Sequence, residues 1–228
     1  MKDLKAVLFD MDGVLFDSMK NHTASWFKTM NEWNIACTRD EFYLHEGRTG
    51  AGTTRLLFNR ELRRDPSEEE IKAVYAMKTK YFNQLPLAEP MPGALELLRK
   101  IKAQGIDVCV VTGSAQQSLL SRLNSAFPDI FDEKHIICAR DVSKGKPDPE
   151  PYLKGLELMG VKAGEAIVVE NAPMGVQSAK AAGIYTVTVN TGPLDESLFY
   201  DLGTDKLYPG MQDLCDNWEH LYASLVHE

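Results

Sequence analysis

Asp10 and Asp12, two aspartates separated by one residue, are the first side chains in this sequence whose spacing suits catalysis. They follow an apolar run over residues 4–9, which predicts a buried β-strand with both carboxylates at its carboxyl end. Open α/β sheets bind ligands beyond such strand ends. There, Asp10 can attack phosphorus, Asp12 can transfer a proton, and both can bind a hard cation. A plain surface turn at Gly13 is the alternative interpretation.

A second polar group, Thr112, Gly113 and Ser114, ends another apolar run and precedes a predicted helix. Backbone N–H groups and hydroxyls in this position can surround a phosphate. An ordinary helix cap formed by Ser114 would explain the same residues.

Two more groups complete the pattern. Lys146 lies in a loop stiffened by two prolines and would offer a fixed point charge to a phosphoryl oxygen, although a solvated loop lysine is the alternative. Glu170 and Asn171 end a further apolar run and could complete a magnesium site with Asp10, or cap the following helix. Since all four groups suit one magnesium-bound phosphoryl group, we interpret them as a single site.

The elements that must position these residues alternate between strands and helices. Strands are predicted at 4–9, 108–112, 136–138, 166–170 and 185–189, and helices at 94–104, from near Ala115, at 149–159, 174–182 and 211–226. This alternation predicts an α/β fold with a doubly wound parallel sheet.

The segment between the first two strands has only helical patterns. Helices are predicted at 18–34, 52–62 and from a capping box at Ser67–Glu70 to Phe82, and a proline-rich linker follows at 85–93. We therefore expect an all-helical unit inserted into the α/β fold.

Composition limits the classes of function. The chain has 228 residues and a net charge of −8, with its basic residues spread along the sequence, so we expect no nucleic-acid groove and no anionic membrane surface as partner. Its four cysteines are far apart, which indicates reduced thiols and neither a zinc cluster nor a disulfide framework. No apolar run has the length of a membrane span or a signal-peptide core, and we expect a cytoplasmic protein.

In order and spacing, the four groups resemble the four motifs of the haloacid dehalogenase superfamily of phosphotransferases. Residues 9–15 resemble the first motif, 111–114 the second, Lys146 and Pro147 the third, and 168–171 the fourth. The resemblance implies a Rossmann-like catalytic core at 1–15 and 89–228. It also implies an α-helical cap at 16–88, similar to the small cap of the β-phosphoglucomutase-like branch.

The resemblance also implies roles for individual residues. Asp10 would be the nucleophile that forms an aspartyl-phosphate, and Asp12 the general acid/base whose main-chain carbonyl binds Mg²⁺. Thr112 and Lys146, with Gly113 and Ser114, would hold the transferring phosphoryl group. Asn171 would bind the metal together with Asp10.

Two departures from the family pattern bear on the substrate. The fourth motif usually ends in a carboxylate, and Asn171 is neutral. In the cap, Glu46 and Gly50 stand near positions where sugar-phosphate mutases have a lysine and an arginine. We expect Glu46 to become a metal ligand when the cap closes, which would restore the missing charge and leave a small chamber. An exposed Glu46 carboxylate is the alternative.

This combination resembles a magnesium-dependent inorganic pyrophosphatase, and pyrophosphate is the substrate that we expect first. Arg48 would help to hold the second phosphate, or is a surface arginine. The alternatives are a β-phosphoglucomutase, in which His22 would be the cap-hinge histidine, and a small sugar-phosphate phosphatase. A non-enzymatic scaffold would not need the complete set of motif residues. The oligomeric state is not visible in the sequence, and a monomer is compatible with it.

Overall fold

The computed structural model describes residues 3–114 and 119–226. Its strands are β1 (Ala6–Phe9), β2 (Asp107–Val111), β3 (Ile136–Ile137), β4 (Ala166–Glu170), β5 (Tyr185–Val189) and β6 (Lys206–Tyr208). They form one parallel sheet in the order β3-β2-β1-β4-β5-β6. The predicted α/β fold class is confirmed. Strand β6 was not predicted because it has three residues, only one of them buried, and no apolar run.

The helices alternate with the strands, except in the segment after β1. They are α1 (Met19–Glu32), α2 (Glu41–Leu44), α3 (Gly50–Leu62), α4 (Glu68–Phe82), α5 (Ala94–Ala103), α6 (Leu119–Ala126), α7 (Glu150–Met159), α8 (Pro173–Ala181), α9 (Glu196–Asp201), α10 (Met211–Asp216) and α11 (Trp218–Val226). The predicted helix start near Ala115 lies outside the described residues. None of the helices in the described part of the chain is long and apolar enough to cross a bilayer.

The strands are apolar on both sides because helices cover both faces of the sheet. On one face, Val7 and Phe9 of β1 belong to a buried cluster with apolar residues of α5, α10 and α11. On the other face, Ala6 and Leu8 belong to a second cluster with residues of α7 and α8. This packing fixes β1 in the centre of the molecule.

Register places the ends of three strands side by side. Phe9 of β1 is aligned with Val110 of β2 and with Val169 of β4. Because all three strands are parallel, the residues that follow them emerge at the same edge of the sheet. The sequence groups beginning at Asp10, Thr112 and Glu170 therefore meet there.

The helices α1 to α4 surround their own buried cluster. Its members are Trp26, Met30, Ile35, Phe42, Leu57, Phe58 and Val74. The capping box predicted at the start of α4 is present, with Ser67 and Glu70 satisfying each other's backbone N–H groups. We propose that this cluster is the core of a cap comprising residues 16–88, and that 1–15 and 89–228 form the other domain.

The C-terminal segment differs from the single helix predicted at 211–226. α10 ends at Asp216, and the Asp213 carbonyl accepts two hydrogen bonds from its C-cap residue Asn217, one from the backbone N–H (3.1 Å) and one from the side-chain amide (2.8 Å). Trp218 then begins α11 with its ring fully buried.

We expect Phe58→Ala to lower the free energy of unfolding by about 3–5 kcal/mol, because it leaves a cavity in the cap cluster where Phe58 is 0% exposed. Urea denaturation measures this change. Tyr200→Ala is the matched control, because its ring is 56% exposed and its removal should change stability by less than about 0.5 kcal/mol. Equal losses in the two variants would contradict the assignment of Phe58 to a packed core.

Candidate active site

Asp10 lies at the centre of the carboxyl edge of the sheet. Its backbone N–H donates to the Val169 carbonyl (3.0 Å), which continues the pairing of β1 with β4. The side chain is buried. Its Oδ1 accepts a hydrogen bond from Lys146 Nζ (2.5 Å), whereas Oδ2 is buried with no protein partner. One carboxylate oxygen is thus held in place and the other is free to react or to bind a cation.

Lys146 connects Asp10 to a second buried acid. Its Nζ also contacts Glu170 Oε1 at 2.6 Å and donates to the Val111 carbonyl at 3.1 Å. Glu170 Oε1 accepts a further bond from the Tyr152 hydroxyl (2.6 Å), and Oε2 accepts the backbone N–H groups of Asn171 and Ala172. Both Glu170 oxygens are therefore used by protein donors, and Glu170 orients Lys146.

These contacts change the acidity of the groups. Burial raises the pKa of Asp10 to about 7, although the ammonium group of Lys146 partly offsets it. Burial alone would lower the pKa of Lys146, but the carboxylates of Asp10 and Glu170 outweigh it and raise that pKa above its ordinary value. Lys146 is consequently a permanent positive charge beside the free oxygen of Asp10.

Asp12 is held by a separate set of residues from the cap and its linker. Its Oδ1 accepts a hydrogen bond from Ser18 Oγ (2.5 Å) and lies 3.4 Å from His22 Nε2. Lys78 Nζ lies 2.9 Å from His22 Nδ1, and because the lysine donates there, we assign the ring proton to Nε2, which faces Asp12. Burial would raise the pKa of Asp12, but His22 and Ser18 more than offset it and hold that pKa well below its usual range.

Gly13 turns the chain between Asp12 and the cap. It has φ +90°, a left-handed conformation that favours glycine, and a β-carbon there would overlap the Asn171 amide group. Thr191 Oγ1 donates to its carbonyl at 2.7 Å. This close packing places Asn171 next to the aspartate loop, where its Oδ1 is buried with no protein partner.

The cap closes over the site and leaves a cavity of about 70 Å³. The predicted residues that line it are Asp10, Asp12, Glu46, Thr112, Gly113 and Ser114. Cap residues His22, His45, Arg48, Gly50, Tyr75 and Lys78 line it as well. The cap loop contacts the core through Arg48 Nη2, which lies 3.6 Å from Met174 Sδ. Small-molecule sites usually exceed about 300 Å³, so this cavity is small.

Glu46 faces the other two acids across this cavity. Burial, together with the negative charges of Asp12 and Asp10, raises the pKa of Glu46 to about 8, and Lys78 offsets this only in part. Such an accumulation of carboxylates is unfavourable unless a cation or protons compensate it. The exposed Glu46 that was the alternative is not what the structure contains.

Three oxygen donors fit a hard cation, two of them lining the cavity (Asp10 and Glu46) and one, Asn171, lying beside the aspartate loop outside the cavity lining. Asp10 Oδ2 and Asn171 Oδ1 are both buried oxygens without protein partners, and Glu46 adds a carboxylate from the cap. Within residues 3–114 and 119–226, no three aspartate, glutamate, histidine or cysteine side chains converge as a preformed metal cluster. Asn171 would add an amide oxygen to the carboxylates of Asp10 and Glu46.

The residues missed in the sequence are mostly those that support others. Ser18, Lys78 and Tyr152 are buried polar residues whose partners lie up to 56 residues away in sequence. Only Lys78 had a usable signal, because a lysine on the apolar side of the α4 pattern is unusual. Thr112 also differs from expectation in one detail, since its Oγ1 already accepts the Ser114 N–H at 3.0 Å.

Comparison with known proteins agrees with this arrangement. The family model of haloacid dehalogenase-like hydrolases matches residues 7–189. Hexitol phosphatase A of Escherichia coli is 30% identical over 190 residues, which cover 82% of this chain and 83% of that protein. The phosphorylated carbohydrates phosphatase of Thermotoga maritima is 32% identical over 186 residues, which cover 79% and 82%.

One solved structure matches the shape of nearly the whole chain. A Bacteroides vulgatus protein, provisionally described as a beta-phosphoglucomutase, is similar with a TM-score of 0.94 and 53% identity. The match covers 98% of this chain and 90% of that one. The same Rossmann-like fold thus extends over the sheet and the helices of both proteins.

We expect Lys146→Met to lower the free energy of unfolding by about 3–5 kcal/mol near pH 8, because it leaves two buried carboxylates without a cation. The Asp10 pKa is already about 7 with Lys146 present, above the 3.8 of the unfolded chain, and rises further without it. A carboxyl with a raised folded pKa loses stability as the pH rises through that pKa, so the deficit should shrink toward low pH.

Urea denaturation in EDTA from about pH 5 to about pH 9 measures this dependence. Lys5→Met is the matched control, because Lys5 pairs with Glu165 at an exposed site where solvent screens the charges, so its loss should change stability far less and without the same pH dependence. A pH-independent deficit in the Lys146 variant would contradict the electrostatic explanation.

Proposed function

Because the match over residues 7–189 shows that this chain belongs to the haloacid dehalogenase-like hydrolases, we propose that it is a phosphohydrolase in which Asp10 receives the phosphoryl group. The most direct support is the asymmetry of Asp10. Lys146 holds one carboxylate oxygen at 2.5 Å, and the other is buried at the cavity without a partner. A carboxylate held in this way is oriented for attack.

In the first step, the free oxygen of Asp10 forms a bond to phosphorus. The bond between phosphorus and the leaving oxygen breaks, and the leaving group departs with the electron pair. Lys146, the Gly113 N–H group and the Thr112 hydroxyl stabilise the charge on the remaining phosphoryl oxygens. The product of this step is an aspartyl-phosphate.

In the second step, water hydrolyses this aspartyl-phosphate. Asp12 is held as an ionised carboxylate by Ser18 and His22, so it can accept the proton of the attacking water. The new oxygen bond to phosphorus forms, the bond to Asp10 breaks, and inorganic phosphate and the free carboxylate result. The proton on Asp12 can then pass to solvent or to the next leaving group.

The residues fit magnesium as the cofactor of this reaction. Asp10, Asn171 and Glu46 would hold it with side-chain oxygens, and the resemblance adds the main-chain carbonyl of Asp12. When bound, the ion supplies positive charge that orients the phosphoryl group and stabilises charge on its oxygens.

The geometry supports a compact substrate, and pyrophosphate is the first candidate. The cavity is small and Glu46 lines it. By the family resemblance, Glu46 stands near a position where sugar-phosphate mutases have a lysine that grips the distal phosphate. Ionised Asp12 has no proton to donate in the first step. Phosphate leaves more readily without a proton than an alkoxide does, so pyrophosphate demands less of Asp12.

A small sugar phosphate is the second candidate, and the names of the relatives favour it over pyrophosphate. Hexitol phosphatase A and the phosphorylated carbohydrates phosphatase are named for sugar-phosphate hydrolysis, and the Bacteroides vulgatus protein for a sugar-phosphate mutase. None of these three is named for pyrophosphate. The proximity of His22 to Asp12 also suits a mutase.

We expect the purified enzyme with Mg²⁺ to release phosphate from pyrophosphate faster than from sorbitol 6-phosphate or β-glucose 1-phosphate. Phosphate release and formation of glucose 6-phosphate are measured together, so that hydrolysis and isomerisation are separated. Asp10→Asn should reduce kcat for any accepted substrate by at least about 10³-fold, because the nucleophile is lost. Preference for a sugar phosphate would replace pyrophosphate as the substrate, and full activity of the Asn variant would refute the mechanism.

We also expect Mg²⁺ binding to release roughly one to one and a half protons near pH 7, because a cation favours the ionised forms of Glu46 and Asp10, whose pKa values are raised to about 8 and about 7. With its pKa raised to about 8, Glu46 is mostly protonated at that pH without metal, and affinity for Mg²⁺ should rise as the pH approaches 8. Calorimetry in two buffers of different ionisation enthalpy measures the release.

Glu46→Gln should bind Mg²⁺ with a clearly smaller proton release. Glu69→Gln is the matched control, because this exposed cap carboxylate lies in the first turn of α4 and its loss should leave the release unchanged. Equal release in the wild type and in Glu46→Gln would exclude Glu46 as the ionising group.

A further inference from the structure

Gly50 and Tyr75 separate two cavities of the cap. Both residues line the cavity that contains Asp10 and Asp12, and both also line a more open groove on the cap. This outer groove has a volume of about 330 Å³ and is lined by Gly50, Ala51, Ile71, Lys72, Tyr75 and Ala76. The two cavities are therefore separated by the side chain of Tyr75 and the backbone at Gly50.

The Tyr75 ring fits against Gly50 so closely that no side chain could be added there. A β-carbon at position 50 would collide with the ring atoms of Tyr75, whose Cε2 would be 2.5 Å away. The ring thus fills the space in which a longer residue at position 50 would lie. It is 44% exposed, since one side of it faces the outer groove.

The helix that bears Tyr75 is fixed on its inner side. Ile71, Val74 and Lys78 of α4 are buried, and Lys78 contacts His22 at 2.9 Å. Burial and the negative charge of Asp12 raise the pKa of Tyr75, which agrees with a phenol on the active-site side of the wall. Because these contacts hold the backbone of α4, a substitution that removes the Tyr75 ring should leave the position of the helix unchanged.

We infer that Tyr75 determines substrate specificity by closing the catalytic cavity to leaving groups longer than phosphate. This inference rests on the phosphohydrolase activity proposed above. Without the ring, the small catalytic cavity would open into the outer groove, where the exposed Lys72 offers a positive charge. The class of substrate admitted would be an extended phosphate ester with a second anionic group, such as a sugar bisphosphate.

Tyr75→Ala is the decisive variant, and pyrophosphate and fructose 1,6-bisphosphate are the probes. The ratio of kcat/KM for the bisphosphate to kcat/KM for pyrophosphate should rise by roughly tenfold or more, the scale on which a pocket wall discriminates between substrates. Tyr75→Phe retains the ring and should keep the wild-type ratio. Tyr81→Ala, on the same helix with its hydroxyl bonded to Glu32, is the matched control and should also keep it.

Lys72→Ala in the Tyr75→Ala background tests where the extended substrate lies. It should lower kcat/KM for the bisphosphate a few-fold, as expected of an exposed charge pair, and leave the value for pyrophosphate unchanged. Equal effects on both substrates would overturn the assignment of the outer groove.

Binding separates this inference from the proposed function. In the Asp10→Asn background, calorimetric affinity for fructose 1,6-bisphosphate should rise when Tyr75 is replaced by Ala, whether or not the wild type hydrolyses any probe. A gain in affinity without wild-type hydrolysis would refute the proposed function and retain the role of Tyr75. If Tyr75→Ala changed neither the kcat/KM ratio nor the affinity for the bisphosphate, the role of Tyr75 would be overturned. It would also be overturned if the wild type hydrolysed the bisphosphate as efficiently as pyrophosphate.

Discussion

The buried ammonium group of Lys146 compensates the charges of the two carboxylates at the active-site edge of this sheet. Removing a charged group from water costs several kcal/mol per ion, and Asp10 and Glu170 are two such groups within 2.6 Å of the same nitrogen. The cost is offset only because the remaining lone pairs of Glu170 are satisfied by Tyr152 and by two backbone N–H groups. Of the four oxygens of these two carboxylates, Asp10 Oδ2 is the one without a partner, and reaction is proposed at this atom.

The second aspartate depends on the cap in a comparable way. Ser18 and His22 stabilise the charge of Asp12, and Lys78 in turn holds the ring of His22. The cap also introduces Glu46, which opposes the same charge. It therefore contributes both stabilising and destabilising groups to one site. The balance between them can be changed by a proton or a cation, which links the closed arrangement of the cap to the ionic state of the cavity.

The sequence was sufficient to predict the fold and the residues that meet at the strand ends. Parallel strands place their carboxyl ends at one edge, so a local motif after each of β1, β2 and β4 is enough to locate Asp10, Thr112 and Asn171. Residues that act through tertiary contacts were not predictable in this way. Tyr152 and Lys78 belong to no motif, and the apolar pattern over residues 211–226 does not mark the end of α10 at Asp216. The substrate also depends on such contacts, because a cavity wall such as Tyr75 is formed only by packing.

The two linkers of the cap run beside each other, which has an evolutionary consequence. The backbone N–H of Asp17 donates to the Glu89 carbonyl and that of Met91 to the Leu15 carbonyl, both at 2.9 Å. The helical segment therefore leaves and re-enters the α/β fold at one point, as an inserted domain does. Recombination at this point can replace the helical cap by a different inserted domain without changing the register of the sheet. New substrate ranges can thus arise by modular replacement while the chemistry of the strand ends is inherited unchanged.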